Sequence, residues 1–145
     1  MTQKDKELLL KDLCARLPFS VKLLVPSWDE REMEYVDRVD ILYSVNGDGY
    51  IHTLSEDYNF DIEDVKPYLF PLSSMTEAQQ EEFDRIYADD MQVVANNLKN
   101  RLDGKSYETN LGHYRHIDWL NANHFDYRGL IEKGLAIDAT GLNIY

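Results

Sequence analysis

The sequence has little of what secreted and membrane proteins usually carry. It holds one cysteine, Cys14, in 145 residues, which excludes an internal disulfide and fits a reducing compartment. No segment approaches the roughly 18 consecutive apolar residues that a membrane span needs. The N-terminus is charged from position 4 onward and lacks the apolar core of a secretory signal. We therefore expect a cytoplasmic protein with no membrane association.

The common catalytic motifs are also missing. The chain contains no G-x-S-x-G elbow, no P-loop, no G-x-G-x-x-G fingerprint and no H-E-x-x-H zinc motif. The sequence accordingly predicts no catalytic residue and no cofactor, and a binding protein is a simpler expectation than an enzyme.

Basic residues are scarce, since 15 Lys and Arg face 27 Asp and Glu, a net charge of -12. Most of the excess lies in residues 29–103, with nineteen acidic and six basic side chains. Such a surface repels phosphates, so direct binding to nucleic acid is not expected. It would attract a basic protein partner, it could imitate a nucleic acid, or it could simply keep the protein soluble.

A chain of this length predicts a single domain over 1–145. Residues 4–17 are predicted to form a helix, which Thr2 or Asp5 could cap and which Pro18 ends. Apolar residues at helical spacing predict its buried face, which would comprise Leu9, Leu13, Leu17, Leu10 and Cys14.

Residues 19–72 have the alternating pattern of strands. "FSVKLLV" places Phe19, Val21, Leu23 and Val25 on one face, and "YVDRVDILYSV" places Val39, Ile41 and Tyr43 on one side. "PSWDEREME" between them is predicted to be a polar loop, and "VKPYLFPL" to be extended. The region indicates a small antiparallel sheet or a partial barrel of the SH3 or Sm kind.

Residues 73–145 are predicted to be mainly helical. Thr76 and Gln79 fit a capping box at the start of a long helix that Gly104 ends. A third helix is predicted over 113–123, and "LAIDA" could form a short closing strand. The whole chain is therefore predicted to be an α+β protein, with an N-terminal helix, a small sheet and a helical C-terminal part.

One segment, "SVNGDGYIHTLS", partly matches a calcium-binding loop. Ser44, Asn46, Asp48 and Gly49 occupy ligand and glycine positions, but Ser55 stands where a bidentate glutamate is needed. Strand patterns flank the segment, and Asn-Gly favours a tight turn. We therefore predict a hairpin and no calcium site.

The segment "HYRHIDWLNANHFDYRG", residues 113–129, has the strongest chemical appearance. His113 and His116 lie three residues apart and are weak candidates for metal ligands, although two ligands are too few for zinc. A metal-assisted hydrolase using this region is the enzymatic alternative. The residues that could form a binding surface are His113, His116, His124, Asp126, Tyr127 and Arg128.

The same segment can also be explained as a structural clamp. Trp119 and Phe125 would pack against the sheet or the second helix, and Asp126 would cap the turn "YRGL". Arg128 would pair with Asp126 or with the acidic middle of the chain. His124 would lie at a helix C-terminus, where a histidine is favourable to the helix dipole when it is charged.

Three phrases, "LLLKDLCARLPFSVKL", "DVKPYLFPLSSMTEAQQEEF" and "IDWLNANHFDYRGLIEKGLAIDA", resemble a family of small proteins of gut Bacteroides-type genomes and their phages or mobile elements. The resemblance implies a setting but no activity and no site residue. We expect a non-enzymatic acidic binding protein that acts on a host or element-encoded partner. The alternatives are an anti-defence nucleic-acid mimic or small-molecule sponge, and the hydrolase named above.

Overall fold

The computed structural model describes residues 1–104 and 114–145. It contains a helix, a mixed sheet and two further helices, which confirms the predicted α+β class. The elements are α1 (Gln3–Arg16), β1 (Lys22–Asp29), β2 (Glu34–Val45), β3 (Ile51–Thr53), β4 (Lys66–Pro71), α2 (Glu77–Leu102), α3 (Arg115–Ala122), β5 (Phe125–Asp126) and β6 (Ile137–Asp138). They form two compact units, residues 1–72 with 124–145 and residues 73–123.

Helix α1 begins at a capping box in which Thr2, one of the two predicted caps, is the N-cap residue. The Thr2 hydroxyl accepts a hydrogen bond from the Asp5 N–H at 3.2 Å, and the Asp5 carboxylate accepts one from the Thr2 N–H at 3.1 Å. Pro18 lies in a 3-10 turn that follows the helix. Both helix boundaries are therefore set by local chemistry.

The buried face of α1 differs from the prediction. Leu9 and Leu13 are buried, but so are Asp12 and Arg16. Cys14 and Leu17 are exposed, so the prediction of a buried Cys14 was wrong. Asp12 and Arg16 can share the core-facing side because they neutralise each other across one helical turn.

Strands β1 and β2 form a longer hairpin than predicted. Their antiparallel pairing runs from Lys22 opposite Ile41 to Asp29 opposite Glu34. The segment "PSWDEREME" is therefore mostly strand, and the prediction of a polar loop there was wrong except for residues 30–33. Residues 26–29 each have a cross-strand partner in β2, which extends this part of the polar stretch into the sheet.

The turn between β2 and β3 confirms the predicted hairpin at "NGDG". The Asn46 side-chain oxygen accepts hydrogen bonds from the Asp48 and Tyr50 N–H groups, both at 3.0 Å. Gly49 has a φ of 84°, a conformation that glycine adopts without strain. The strands on either side pair in antiparallel fashion.

The strand order is β3-β2-β1-β4-β5, with β6 also paired to β4. The pairings among β1 to β4 are antiparallel, whereas β5 and β6 pair with β4 in parallel. The sheet is therefore mixed, not purely antiparallel. Both short strands lie in residues 124–145, within the part of the chain that was predicted to be mainly helical. They form by backbone pairing with β4, and β6 falls in "LAIDA", where a short closing strand was predicted.

The core of this unit lies between α1 and one face of the sheet. Alternate residues Val21, Leu23 and Val25 point into it, as predicted. The buried cluster is completed by Leu9, Leu13, Leu42, Ile51, Phe60, Val65, Leu69, Leu130, Leu135 and Ala136.

The second unit contains α2 and α3. The predicted capping box of α2 is present, since the Gln79 N–H donates to the Thr76 hydroxyl at 3.2 Å and the Thr76 N–H donates to the Gln79 side chain at 2.9 Å. Gly104, with a φ of 70°, follows the helix. None of the helices in the described part of the chain is both long and apolar enough to cross a membrane.

Candidate protein-binding surface and the predicted site residues

Two of the three histidines of residues 113–129 belong to different compact units. His113, and with it the predicted pair of His113 and His116, lies outside the described residues. His116 is buried in the second unit, whereas His124 belongs to the first unit. Among residues 1–104 and 114–145, no group of three potential metal-ligating side chains comes together.

His116 instead completes a hydrogen-bonded group, the Asp90 cluster, with Asp90 and Arg115. The Asp90 carboxylate lies 2.7 Å from His116 Nδ1 and accepts from the His116 backbone N–H at 2.8 Å. It also accepts from Arg115 Nε at 3.1 Å. Burial alone would raise the pKa of Asp90, but the hydrogen bonds from His116 and Arg115 outweigh it and lower that pKa.

Aromatic rings surround the His116 side chain. Tyr87 and Tyr114 approach it edge to face, with centroid distances of 5.1 and 5.9 Å, and Phe83 lies 6.2 Å away. In some enzymes an aspartate orients a histidine that acts as the general base. Here the pair joins α2 to α3 inside a ring of aromatic side chains, so its visible role is structural.

The predicted clamp residues pack as proposed, each in its own unit. The Trp119 ring lies 5.8 Å from the Phe83 ring of α2, although Trp119 is only half-buried. Phe125 is buried in β5 opposite Phe70 of β4. The large apolar residues of the segment therefore serve packing.

Asp126 confirms its predicted capping role. Its carboxylate accepts hydrogen bonds from the backbone N–H groups of Arg128, Leu130 and Ile131 at 3.3, 3.0 and 2.8 Å. Gly129 within this turn has a φ of 72°. The side chain of Asp126 is buried, so the surface described below does not include it.

Arg128 pairs with a residue that the sequence did not single out. Its Nε lies 3.1 Å from Asp12 Oδ1, and its Nη2 donates to the Tyr127 hydroxyl at 3.2 Å. Asp12 also binds Arg16, through Arg16 Nε at 2.7 Å and Nη2 at 3.1 Å. The prediction that Arg128 pairs with Asp126 or the acidic middle was therefore wrong, because Asp12 on α1 is the carboxylate in reach.

These four residues, Asp12, Arg16, Tyr127 and Arg128, form the Asp12 cluster. Arg16 also donates to the Phe125 carbonyl at 2.7 Å, which ties α1 to β5. Its Nη1 has no hydrogen-bond partner within the described ranges. The spacing of Asp12 and Arg16 on the same side of α1 as Leu9 and Leu13 was the signal that could have revealed this cluster.

The structure favours the neutral form of the His124 side chain, so the favourable dipole interaction of a charged histidine is not used here. Its ring stacks on Tyr145 with a centroid distance of 3.7 Å. Burial, assisted by the charges of Arg16 and Lys22, lowers the pKa of His124 to about 4. The imidazole is therefore uncharged near pH 7.

An exposed apolar surface lies elsewhere, on the β1–β2 hairpin. Period-two alternation places the side chains of Tyr35, Val39 and Tyr43 on the face opposite to the buried Leu42. Trp28 lies opposite Tyr35 in the register, and their rings meet edge to face at 5.2 Å. The exposed fractions on this aromatic face are 43% for Trp28, 68% for Tyr35, 47% for Val39 and 66% for Tyr43.

Acidic groups border the aromatic face. Residues 28–43 contain six acidic and two basic side chains, and one of the basic ones, Arg38, is paired with Asp29 at 3.2 Å. At the Tyr43 end, a cavity of about 420 Å³ opens between His52, Glu56 and Asp57. The hairpin thus combines exposed aromatic rings with an excess of negative charge.

Comparison with known proteins gives no relative for this chain. No family model, no curated protein and no solved structure matches it. The resemblance to proteins of gut Bacteroides-type genomes and mobile elements therefore stays a prediction.

Proposed function

We propose that the protein is a non-enzymatic binding protein whose aromatic face, Trp28, Tyr35, Val39 and Tyr43, docks a basic segment of a partner protein. The observation that carries this proposal is the exposure of three aromatic rings and a valine on one face of a single hairpin. Tyrosine and tryptophan are enriched among the residues that dominate binding energy at protein interfaces.

The charge around the face supports a basic partner. The acidic excess of the hairpin attracts lysine and arginine, and it steers such a partner towards the surface. Exposed Trp28, Tyr35 and Tyr43 rings also offer faces on which an arginine can stack. The cavity beside Tyr43, with Glu56 and Asp57, has the polarity to receive a cationic side chain.

The setting of the interaction follows from the sequence resemblance. In a phage or mobile element, an acidic protein of this kind would act on a host or element-encoded protein. We place no catalytic step in the proposal, because the groups that resemble a catalytic pair, Asp90 and His116, hold two helices together.

A displayed random-peptide library, panned against the purified protein, tests the proposal. We expect enriched peptides that combine Lys or Arg with aromatic or aliphatic residues. Binding should weaken at high salt, because exposed charges are screened. The double variant Tyr35→Ser with Tyr43→Ser should lose the enrichment.

The matched control is Tyr114→Ser, since Tyr114 is another exposed tyrosine but lies outside the aromatic face. It should leave the enrichment unchanged. Enrichment of acidic or uncharged peptides, or equal binding by the double variant and wild type, would overturn the proposal.

A further inference from the structure

Strand β2 has one edge that no other strand in the described part of the chain covers along its first half. On one side, β1 pairs with it over the whole stretch from Glu34 to Ile41. On the other side, β3 pairs with β2 only from Leu42 onward. The last backbone contact along that side is the Leu54 N–H, which donates to the Ile41 carbonyl at 2.9 Å. The β2 edge, residues 34–40, therefore lies open beyond the end of β3.

The alternation of the antiparallel ladder determines which backbone groups point to this edge. The N–H and C=O of one residue point to the same neighbouring strand, and those of the next residue point the other way. The Leu42 N–H donates to the Val21 carbonyl at 3.0 Å, on the β1 side, so the odd-numbered residues of β2 point away from β1. These outward residues are Tyr35, Asp37 and Val39. Among the residues that the structure describes, none makes a hydrogen bond to their outward backbone groups.

The corresponding edge of β1 is interrupted. Strand β4 covers Leu23 and Leu24, and Pro26, the next residue that points outward, has no N–H to donate. The Pro26 carbonyl accepts a hydrogen bond from the Tyr58 hydroxyl at 3.0 Å. Proline on an edge strand hinders pairing with another chain. Of the two edges of the hairpin, that of β2 is therefore the uninterrupted one.

The side chains along the β2 edge select the strand that can be added. Because side chains alternate along a strand, Asp37 lies on the aromatic face between Tyr35 and Val39, and it is exposed. An added strand would set one residue opposite each of these three. Opposite charges in such cross-strand pairs stabilise a sheet, and like charges destabilise it. The favoured strand therefore carries a lysine or arginine opposite Asp37 and apolar residues on either side of it.

A second copy of the chain fits this edge poorly. Two β2 edges that pair in antiparallel fashion through all three outward residues are centred on Asp37, because outward residues lie opposite one another. That register sets Asp37 opposite Asp37 and Glu34 opposite Asp40. Both pairs join like charges, so the charges favour a basic segment of another protein over a copy of this one.

We propose that the partner binds by strand addition, with an extended basic segment paired antiparallel along the β2 edge and a lysine or arginine opposite Asp37. Strand β3 already pairs with β2 in this direction on the same side. In this mode of recognition, main-chain hydrogen bonds supply affinity and alternate side chains supply specificity. The inference rests on the proposed function and adds the conformation and the sequence pattern of the bound segment.

Backbone N-methylation of a synthetic peptide tests the added strand. The probe is the heptapeptide Thr-Val-Thr-Lys-Thr-Val-Thr with both ends blocked, and NMR titration of the isotope-labelled protein gives its dissociation constant. An N-methyl group on the lysine removes the N–H that donates to the Asp37 carbonyl, and it should raise the dissociation constant roughly tenfold or more. The matched control is an N-methyl group on the threonine after the lysine. The N–H of that threonine points to solvent, so the constant should change less than about twofold.

Three outcomes would overturn the strand addition. They are equal effects of the two methyl groups, a larger effect of the one on threonine, and failure of the unmethylated heptapeptide to bind at about millimolar concentration. A heptapeptide that requires Tyr35 and Tyr43 but tolerates both methyl groups would overturn this inference and leave the proposed function intact.

A charge exchange tests the position opposite Asp37. Asp37→Lys should change the ratio of the dissociation constants of the heptapeptide and its Lys-to-Glu version by roughly tenfold or more, in favour of glutamate. The matched control is Glu30→Lys, since Glu30 is exposed in the turn between β1 and β2 and the net charge changes equally. It should change the ratio less than about threefold. Equal changes for the two variants would overturn the assigned pairing. Circular dichroism establishes that each variant is folded, and Asp37→Asn provides the comparison if Asp37→Lys is not.

Discussion

Two buried aspartates, one in each compact unit, are neutralised in different ways. Asp12 is fully buried and binds two guanidinium groups, those of Arg16 and Arg128. Asp90 is equally buried, but its partners are a histidine and Arg115, whose side chain is 52% exposed. The first carboxylate therefore depends on one fully buried guanidinium and one that is mostly buried, and the second on a buried imidazole and a guanidinium that is half exposed to water.

The difference indicates how each unit is held together. In the first unit, the Asp12 cluster lies on the same side of α1 as the apolar core and connects α1 to β5. In the second unit, the Asp90 cluster links α2 to α3 and is accompanied by partly exposed aromatic rings. Removing the carboxylate should cost more in the first unit, because the Arg16 guanidinium that loses its partner there is buried and cannot be hydrated.

The largest expected effect is that of Asp12→Ala. This change leaves the Arg16 guanidinium, which has no exposed surface, without its carboxylate. We expect the free energy of unfolding to fall by about 3–5 kcal/mol, measured by urea denaturation. Glu7→Ala, an exposed change on the same helix, should cost no more than about 0.5 kcal/mol. Equal losses for the two variants would contradict the role of the Asp12 cluster.

The Asp12 cluster also marks the limit of what the sequence predicts. The capping boxes at Thr2 and Thr76 and the turn at Asn46 were predictable because each depends on residues a few positions apart. The partnership of Asp12 with Arg128 joins residues 116 positions apart, and no local pattern specifies it. Apolar spacing alone assigned Leu17 and Cys14 to the core, where Arg16 lies instead.

The candidate surface was predictable only in part, for a related reason. Alternation correctly grouped Val39, Ile41 and Tyr43 on one side of a strand. It did not indicate which side faces α1, because both sides of β2 carry apolar residues. The cross-strand pairing of Trp28 with Tyr35 was missed, since the segment around Trp28 has the composition of a loop.

The next effect concerns the protonation of His124. His124, close to the positive charges of Arg16 and Lys22, has a folded-state pKa of about 4 against an ordinary value of 6.5. As the pH falls, His124 binds a proton in the unfolded chain before it does so in the folded protein. The stability that comes from the neutral His124 ring is therefore complete above pH 6.5 and is lost as the pH falls towards 4. At about 1.4 kcal/mol per pH unit between pH 6.5 and about 4, the loss is at most about 3–4 kcal/mol, and less where solvent screens the site.

An NMR titration of the imidazole resonances measures this prediction directly. The His124 resonance should keep its neutral position until the pH falls to about 4. In denaturation experiments, His124→Gln should reduce the dependence of stability on pH between 6.5 and 4. A His124 resonance that titrates near 6.5 would contradict the neutral, stacked arrangement with Tyr145.

A smaller effect is expected for Asp90→Ala. Arg115 can be hydrated when the carboxylate is removed, but the backbone N–H of His116 loses its acceptor. We expect a loss of about 1–3 kcal/mol at pH 7, less than for Asp12→Ala. Because the pKa of Asp90 is lowered in the folded protein, its contribution is present near neutral pH and is lost as the pH falls below the ordinary value of 3.8. A loss larger than that of Asp12→Ala would reverse the comparison.

The smallest expected effect is that of Arg115→Ala. We compare it with Arg128→Ala, because each change removes the most exposed guanidinium of its cluster. Arg115→Ala removes a side chain that is 52% exposed, and Arg128→Ala removes one that is 23% exposed. Solvent screens the Arg115 pair with Asp90 and Asp89, so we expect Arg115→Ala to cost about 0–1 kcal/mol. Arg128→Ala should cost more, since it also leaves Tyr127 without the stacked guanidinium at 4.8 Å. Parallel urea denaturation of both variants at low and high salt measures the difference. Added salt should reduce the cost of Arg115→Ala more than that of Arg128→Ala, because ions reach the exposed pair and are excluded from the buried one.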